Sequence, residues 1–576
     1  MGTQENVRRR EIDQAEGDAN GSGPRVSDGG PKKQGHPRGL YTLFGAEAWE
    51  RFSYYGMRAL LVLYLVKKIG LERSQALEIY GLYTGLVYLT PLLGGYLADK
   101  ILGRRKAVLI GGIVMALGQV ALMFEPTLFL ALGLLIAGNG FFKPNISTMV
   151  GGLYGEGDTR RDGAFTIFYM GINLGALWSP IICGNLGEKV SFALGFGSAA
   201  LGMTLGLVQF VAGQKYLGLG GLPPGRVEAS TAADADSEKP TLLVAKDYVD
   251  VVVWTVGTCA LVYGILFGWK FVGPAWTAAP GIVKGLVGLA AIGAVFFQLF
   301  RGSNGQEAQQ ILVIIILCAF NIFFWMGFEQ AGGTMTLFAD EQTERNIGGF
   351  GMLVVAAFVF ACAYNFRRST KDQASGQTLW VALTIMFGLA GLGAVGLAVY
   401  DFATGQTTNI PASQFQAINP LLIVALAPTF SNLWDKLDNS KYRTSTPTKM
   451  AIGMIILGLG FMVLFAGQSI AKASGTKASA AWLVAVYTIH TIGELCLSPI
   501  GLSMVTKLAP PRVSSLAMGL WLFSSAVANY LAGILESLLA KVQVPIYGFL
   551  AASSIGPALL LLALTPILKK WMHGKA

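Results

Sequence analysis

Sixteen apolar stretches of membrane-spanning length constrain this chain more than any other feature of its sequence. A helix needs about 20 mostly apolar residues to cross the hydrocarbon layer of a bilayer. The chain is 53% hydrophobic and only 13% charged, which excludes a set of soluble domains. We therefore predict an all-α polytopic membrane protein. The stretches lie at about residues 44–66, 76–98, 106–124, 128–150, 163–187, 191–213, 248–271, 281–300, 309–338, 349–366, 378–401, 415–434, 450–470, 480–505, 513–540 and 546–568.

The loops between these stretches predict the orientation of the chain. An even number of spans places both termini on one side, and most of the 43 Lys and Arg residues fall in the loops on that side. This bias is typical of cytoplasmic loops, so the net charge of +10 indicates a membrane orientation and not a nucleic-acid partner. Loop 67–75, with three basic residues, is the exception. We expect a multi-pass protein of the inner (plasma) membrane with both termini in the cytoplasm and the lipid bilayer around it.

The changes in composition along the chain divide it into four parts. Residues 1–39 have almost no large apolar side chain and are predicted to be a disordered cytoplasmic tail. Residues 40–213 hold six spans, and residues 214–308 form a polar linker followed by two further spans. Residues 309–576 hold the second set of six spans, with an inserted hydrophobic pair at 349–401 to which the sequence assigns no role.

Charged residues interrupt the first apolar stretch. Glu47, Glu50, Arg51, Tyr54 and Arg58 fall within a stripe about 100° wide on one helix. The stripe climbs roughly 16 Å, about half the hydrocarbon thickness. An ionisable side chain in a spanning helix is costly, so such residues normally face a water-filled or protein-lined interior and act there. The alternative is a buried ion pair with a purely structural role.

The same stretch resembles a known family. Its Glu-x-x-Glu-Arg followed by Phe-x-Tyr-Tyr-Gly-x-Arg is similar to the first-helix signature of the proton-dependent oligopeptide transporters, a branch of the major facilitator superfamily. The resemblance covers roughly residues 40–340 and 410–570. It implies the major facilitator fold, with two six-helix bundles joined by additional helices. It also implies a proton-coupled symporter that imports di- and tripeptides by alternating access.

Residues 94–106 resemble the loop that the superfamily places between its second and third helices. Asp99, Arg104 and Arg105 could form a breakable charge latch at the cytoplasmic face, which makes them the predicted gating residues. The simpler alternative is a basic cytoplasmic loop whose aspartate caps a helix.

Two further signatures place polar groups within spans of the first half. Gly-x-Gly-x-x-Lys-Pro-Asn carries Lys143, and in the family this lysine receives the carboxylate of the peptide. The fifth-helix signature carries Asn173 between Gly171 and Gly175, whose Gly-x-x-x-Gly spacing permits close helix contact. Without the motif, Asn173 would more simply bond to a neighbouring backbone carbonyl.

The second half supplies acids that face these cations. In the family, the acid at Glu329 pairs with the cations opposite, and the acid at Glu494 receives the amine of the substrate. Packing remains an alternative role for each tryptophan, and His490 is expected to be an ordinary core histidine. The residues predicted to bind substrate are Tyr54, Tyr55, Arg58, Tyr88, Lys143, Asn173, Trp325, Asn419, Glu494, Ser498 and Trp521.

The buried charges suggest how a proton could be coupled to transport. Four acids and three bases leave one excess negative charge, which one proton would neutralise. Protonating a glutamate would release its arginine or lysine, and this links proton binding to gating. Glu47, Glu50, Arg51 and Glu329 are the predicted proton-coupling residues. No cofactor or metal is expected, and the coupling ion is the proton.

The alternatives to a peptide symporter are an enzyme or pump, a transporter of a different cargo and a non-transporting sensor. The sequence contains no HExxH, GxSxG or P-loop motif, so neither an enzyme nor an ATP-driven pump is predicted. A transporter of another small anionic or zwitterionic solute on the same fold is the main alternative, although Lys143 and Glu494 together favour a cargo with two opposite ends. A non-transporting sensor is disfavoured by the intact first-helix charges. We expect a monomer that also accepts peptide-like drugs.

Overall fold

The computed structural model describes residues 35–155, 158, 160–218, 220–222, 243–278, 281–372, 377–440 and 444–575. Side chains at 269–278, 281–289, 291, 369–372, 377–379, 498–500 and 502 are outside this description. Of the predicted tail, residues 1–39, the first 34 residues also lie outside the described part of the chain. Its last residues, Arg38 and Gly39, already belong to the first helix.

Eighteen α-helices lie in the described ranges. They are α1 (Arg38–Lys67), α2 (Arg73–Leu89), α3 (Pro91–Leu97), α4 (Arg104–Leu122), α5 (Leu128–Gly151), α6 (Arg161–Lys189), α7 (Phe192–Gly213), α8 (Ala245–Ala278), α9 (Gly281–Phe300), α10 (Gly305–Phe328), α11 (Thr334–Glu341), α12 (Gly349–Asp372), α13 (Gln377–Thr404), α14 (Ile418–Asp438), α15 (Thr446–Ser474), α16 (Ala480–Leu508), α17 (Ser514–Lys541) and α18 (Ile546–Trp571). Four two-residue strands accompany them: β1 (Thr343–Glu344), β2 (Asn346–Ile347), β3 (Thr408–Asn409) and β4 (Ala478–Ser479).

All sixteen predicted stretches fall in helical segments, so the prediction of a polytopic all-α protein is confirmed. Fourteen helical segments of the described chain are long and apolar enough to cross a membrane. Helix α1 is not among them because its charges interrupt every apolar window of sufficient length. Two of the described spans contain two α-helices. In one, α3 and a π-helical turn, Ala98–Leu102, continue α2; in the other, a 3₁₀ turn, Glu329–Gly332, joins α10 to α11.

Helix α1 packs along α6 and α7 within the first bundle, which comprises α1 to α7. Small residues allow this close approach. A Cβ atom at Gly175 would collide with the carbonyl oxygen of Ala48, and one at Gly171 would lie 2.9 Å from the ring of Phe44. The prediction of close backbone contact from the Gly-x-x-x-Gly spacing is therefore confirmed.

The second bundle comprises α10, α11 and α14 to α18, and it meets the first along two seams. Along one, α2 packs against α17, where a Cβ atom at Gly81 would lie 2.7 Å from the Cα of Gly533. Along the other, α6 packs against α14. Arg58, on the charged face of α1, lines the space between the two bundles.

The inserted pair, α12 and α13, lies across the seam between α6 and α14. Phe366 and Trp380 share an apolar cluster with Met170 of α6 and Val424 of α14. The amide of Asn365 donates a hydrogen bond to the carbonyl oxygen of Ala425 (2.6 Å). At the base of the pair, β2 and β3 form an antiparallel two-stranded ladder. The pair therefore covers the outer surface of the two helices that line this seam.

Candidate functional site

The first part of the charged stripe forms a compact cluster on α1. Arg51 Nε lies 3.2 Å from Glu47 Oε1 and is also hydrogen-bonded to Glu50. The guanidinium carbon of Arg51 lies 5.2 Å from the centre of the Tyr54 ring. All three charged side chains are buried, and Glu47 Oε2 and Glu50 Oε1 have no hydrogen-bond partner among the described residues. The cluster therefore retains acceptor atoms that could bind a proton or water.

The second part of the stripe joins the two bundles. Arg58 pairs with Glu329, which begins the 3₁₀ turn between α10 and α11. Its Nε also donates a hydrogen bond to the hydroxyl of Tyr80 (2.7 Å), and its guanidinium lies 5.7 Å from the centre of the Tyr55 ring. This interbundle pair is buried, so removing one partner would leave an uncompensated charge.

Lys143 lies on α5 with its ammonium 5.2 Å from the centre of the Tyr88 ring. No hydrogen bond or ion pair of this ammonium group is found among the described residues. Lys143 lies near the charged side chains of Arg51, Glu50, Glu47 and Glu329. Lys143 is therefore a cation available to a ligand beside the charged cluster of α1.

A cavity of about 200 Å³ lies between the two bundles. Eight of the predicted site residues line it: Tyr55, Arg58, Tyr88, Asn173, Trp325, Glu329, Asn419 and Glu494. The first bundle contributes a cation, Arg58, and the second contributes acids. The cavity therefore presents opposite charges to a bound molecule.

Of the two acids that line the cavity, Glu329 is paired with Arg58, whereas Glu494 pairs with no base among the described residues. It accepts a hydrogen bond from Asn419 Nδ2 (2.8 Å), and the same amide nitrogen donates to the hydroxyl of Thr491 (3.1 Å). No ion pair of Glu494 is found among the described residues. The amide of Asn419 thus orients a carboxyl group that a ligand cation could approach.

Of the predicted substrate-binding residues whose side chains the structure describes, Tyr54, Trp521 and Lys143 do not line this cavity. Tyr54 is buried edge-on against Tyr55, with ring centres 5.2 Å apart. Trp521 is buried near the backbone of Gly501. Ser498 lies outside the described side chains. Lys143 is also absent from the lining, although Tyr88, over which it lies, is present.

Asn173 makes the backbone bond that is its simpler predicted role, and it also lines the cavity. Its amide nitrogen donates a hydrogen bond to the carbonyl oxygen of Tyr169, one turn earlier (2.9 Å). Both residues also line the cavity. The backbone bond fixes the amide group at the cavity wall.

The predicted gating residues separate into two arrangements. Asp99 pairs with Arg104, with Nη2 3.0 Å from Oδ1. Arg105 instead points into the segment that follows α7, where it donates hydrogen bonds to the carbonyl oxygens of Gly218 and Gly220 (2.7 Å for Gly220). Arg105 is fully buried, so it fastens the start of the linker to the first bundle.

Sequence reasoning missed a set of ion pairs between the bundles at the predicted extracellular side. Lys67 Nζ lies 2.6 Å from Asp340, and Arg73 lies 2.6 Å from Glu341. Arg73 also forms a two-pronged pair with Glu536 of α17. Lys67 and Arg73 belong to loop 67–75, whose three basic residues depart from the charge bias of the other loops on this side. That departure could have indicated ion pairs here.

A second contact closes the same side. Glu188, at the end of α6, accepts hydrogen bonds from the backbone N–H groups of Ala412 (2.9 Å) and Ser413 (2.8 Å) and lies 3.6 Å from Arg345. At the opposite ends of the helices, the described ion pairs stay within one bundle or reach α8, as Lys106 does with Asp250 (2.9 Å). On the predicted extracellular side, ion pairs and hydrogen bonds therefore connect the two described bundles.

Further lining residues were not among the predicted site residues. Tyr487 and Gln416 face the cavity, and the Tyr487 hydroxyl donates a hydrogen bond to the carbonyl oxygen of Ala331 (3.1 Å). His490, expected in the core, packs 4.5 Å from the Phe461 ring centre and also lines the cavity. No spacing in the sequence singled out Tyr487 or Gln416, because their position depends on how the second bundle is packed.

Buried opposite charges in a cavity between two helical bundles are the arrangement of a transporter of the major facilitator fold. The model of the POT family matches residues 105–220 and 400–550. This chain belongs to the POT family, as its similarity to full-length relatives also shows.

Two curated relatives and one solved structure illustrate that similarity. The peptide transporter YePEPT of Yersinia enterocolitica is 33% identical over 88% of this chain and 89% of its own length. A di-/tripeptide transporter of Lactococcus lactis is 32% identical over 93% of this chain and 96% of its own. A crystal structure of a mutant of peptide transporter POT in complex with alafosfalin covers 94% of this chain and 97% of that chain, with 32% identity and a TM-score of 0.69.

Proposed function

We propose that this protein imports di- and tripeptides together with protons by alternating access. The observation that carries the proposal is the charge arrangement of the cavity, where Arg58 stands on one bundle and Glu494 on the other. A small peptide has a carboxylate and an amine at its two ends, and complementary charges give such a ligand both orientation and specificity. The relatives that carry peptide-transporter names support the same cargo.

The carboxylate end of the peptide would bind on the first bundle. Arg58 and Lys143 are the available cations, and Asn173 adds an amide. Arg58 is held by Glu329 in the structure, so a peptide carboxylate has to compete with this acid. Protonation of Glu329 would remove that competition and release Arg58 to the substrate.

The amine end would bind Glu494. Its carboxyl group is oriented by Asn419 and has no cationic partner among the described residues. Trp325, Tyr55 and Tyr88 line the space between the two ends. Their rings would receive the peptide side chains, since apolar walls with a few fixed polar groups are typical of small-molecule sites.

Proton coupling would involve the cluster of Glu47, Glu50 and Arg51. One arginine faces two carboxylates here, so one negative charge is uncompensated within the cluster. A proton on either acid would remove it. We further propose that the protein works as a monomer in the plasma membrane, with both termini in the cytoplasm.

Uptake of labelled dialanine into proteoliposomes with an inward proton gradient tests this function. We expect the wild type to concentrate dialanine, Glu50→Gln to retain exchange but lose concentration, and Glu494→Gln to lose binding. Glu125→Gln is the matched control, because Glu125 is half-exposed and pairs with Lys68 outside the cavity. A wild type without proton-dependent dialanine uptake would favour the alternative cargo, another small anionic or zwitterionic solute.

A further inference from the structure

An apolar groove of about 790 Å³ lies between helix α8 and the first bundle, separate from the substrate cavity. Its walls come from α2, α3, α5 and α8, and they include Leu86, Leu132, Phe141, Trp254 and Leu261. The few polar residues among its lining do not offer a polar site. Thr90, for example, already donates its hydroxyl hydrogen bond to the carbonyl oxygen of Ile136 (2.9 Å).

Helix α8 is fastened to the first bundle at two levels. Lys106 of α4 lies 2.9 Å from Asp250 and 3.6 Å from Asp247, near the start of α8. About 18 Å further along the helix, Val262 approaches α5 so closely that a Cβ atom at Gly133 would lie 2.7 Å from its Cγ1. The groove lies alongside this stretch of α8.

The depth of the groove decides what can fill it. Its walls are mid-span residues of α2, α5 and α8, at the level of the hydrocarbon layer. Water would find too few polar partners there, and an empty groove would forfeit dispersion contacts along its whole lining. A hydrocarbon chain satisfies the lining without either penalty. A volume of about 790 Å³ also lies within the usual range of ligand sites.

We propose that this groove binds an acyl chain of a membrane phospholipid, which fills the space between α8 and the first bundle. Because the surrounding lipid is as apolar as the groove, shape and packing select this chain rather than the hydrophobic effect. A side chain that occupies the groove must therefore displace the lipid. This inference does not depend on the proposed transport function.

Two glycines of α8 provide a matched pair of variants. Gly257 lines the groove, and a Cβ atom there meets no atom within 4 Å, so a phenylalanine can enter the open space. Gly264 is equally unobstructed but does not line the groove. Phospholipid retained by each variant, purified from phospholipid membranes in mild detergent, is counted by native mass spectrometry. We expect about one phospholipid per chain for the wild type and Gly264→Phe, and at least a fivefold lower occupancy for Gly257→Phe.

A second measurement uses Trp254, which lines the groove in the wild-type protein. The fluorescence difference between the wild type and Trp254→Phe isolates this tryptophan. We expect phospholipid with brominated acyl chains to quench it at least twofold more in the wild type than in Gly257→Phe. Equal lipid retention by all variants, absence of quenching of Trp254 in the wild type, or retention of a free fatty acid in place of phospholipid would each overturn the proposal.

Discussion

The ion pairs of Arg73 allow a quantitative test of how the predicted extracellular side is held closed. Arg73 lies on α2 of the first bundle, whereas its partners Glu341 and Glu536 belong to the second. Opening that side must separate the partners. Arg73→Ala should therefore shift the protein towards a state that is open to the extracellular side.

The size of the shift follows from the exposure of the partners. The Arg73 and Glu536 side chains are 28% and 23% exposed and meet through two contacts, which places their pair near the upper end of the surface range, at about 1 kcal/mol. Glu341 is 42% exposed, so solvent screening reduces its pair to about 0.4 kcal/mol. The sum of about 1.4 kcal/mol corresponds to roughly a tenfold change in the ratio of closed to open molecules.

Double electron–electron resonance between two spin labels would measure this ratio of closed to open molecules. Labels at Lys189→Cys and Thr476→Cys lie on exposed ends of the two bundles, after replacement of the five native cysteines. Lys68→Ala is the matched control, since Lys68 pairs with Glu125 within the first bundle. Equal distance distributions for Arg73→Ala and Lys68→Ala would refute this expectation.

Three further predictions concern packing, the inserted pair and the interbundle charge. Gly175→Val should lower the free energy of unfolding by about 1–3 kcal/mol, and with it the melting temperature of the purified protein, because its Cβ atom would collide with α1. Gly197→Ala should have little effect, because its Cβ atom would meet no atom closer than 3.4 Å, and equal melting temperatures for the two variants would contradict the prediction. Deletion of residues 349–406, which joins Gly348 to the neighbouring Thr407, should preserve peptide uptake and lower the melting temperature, since strands β2 and β3 remain paired. Aggregation of the deletion variant in size-exclusion chromatography would instead show that folding of the two bundles requires α12 and α13. Arg58→Lys should reduce peptide uptake at least tenfold, because a lysine cannot bind Glu329 and Tyr80 in the same forked geometry; unchanged uptake would show that a point charge suffices.

In the predicted gating loop, the sequence identified the charged residues but not their partners. The sequence grouped Asp99, Arg104 and Arg105 as one latch because they are neighbours in the chain. Only Arg104 faces Asp99, whereas Arg105 turns into carbonyl groups of a segment more than 100 residues away. Each arginine bonds to the acceptor towards which its side chain points. Residue spacing alone does not determine that direction.

The cavity shows the same division. Spacing on α1 placed Glu47, Arg51 and Arg58 on one face, because helical periodicity is a local property. The sequence could also place acids in the opposite half. It could not show that Tyr487, Gln416 and Tyr169 complete the lining or that Tyr54 turns away from it. These positions depend on the rotation of each helix about its own axis, which is fixed by packing against neighbouring helices.

By itself, the sequence determined that the chain is a helical membrane protein with charges inside a span and a family signature around them. Hydrocarbon leaves a backbone few options other than a helix, so length and apolar composition suffice for that conclusion. Tertiary structure alone decided that Arg73 and Glu188 close one side, that α12 and α13 cover the seam between α6 and α14, and that an apolar groove lies beneath α8. Each of these arises between segments distant in the chain, where the contacts are set by the fit of whole helices and not by local periodicity.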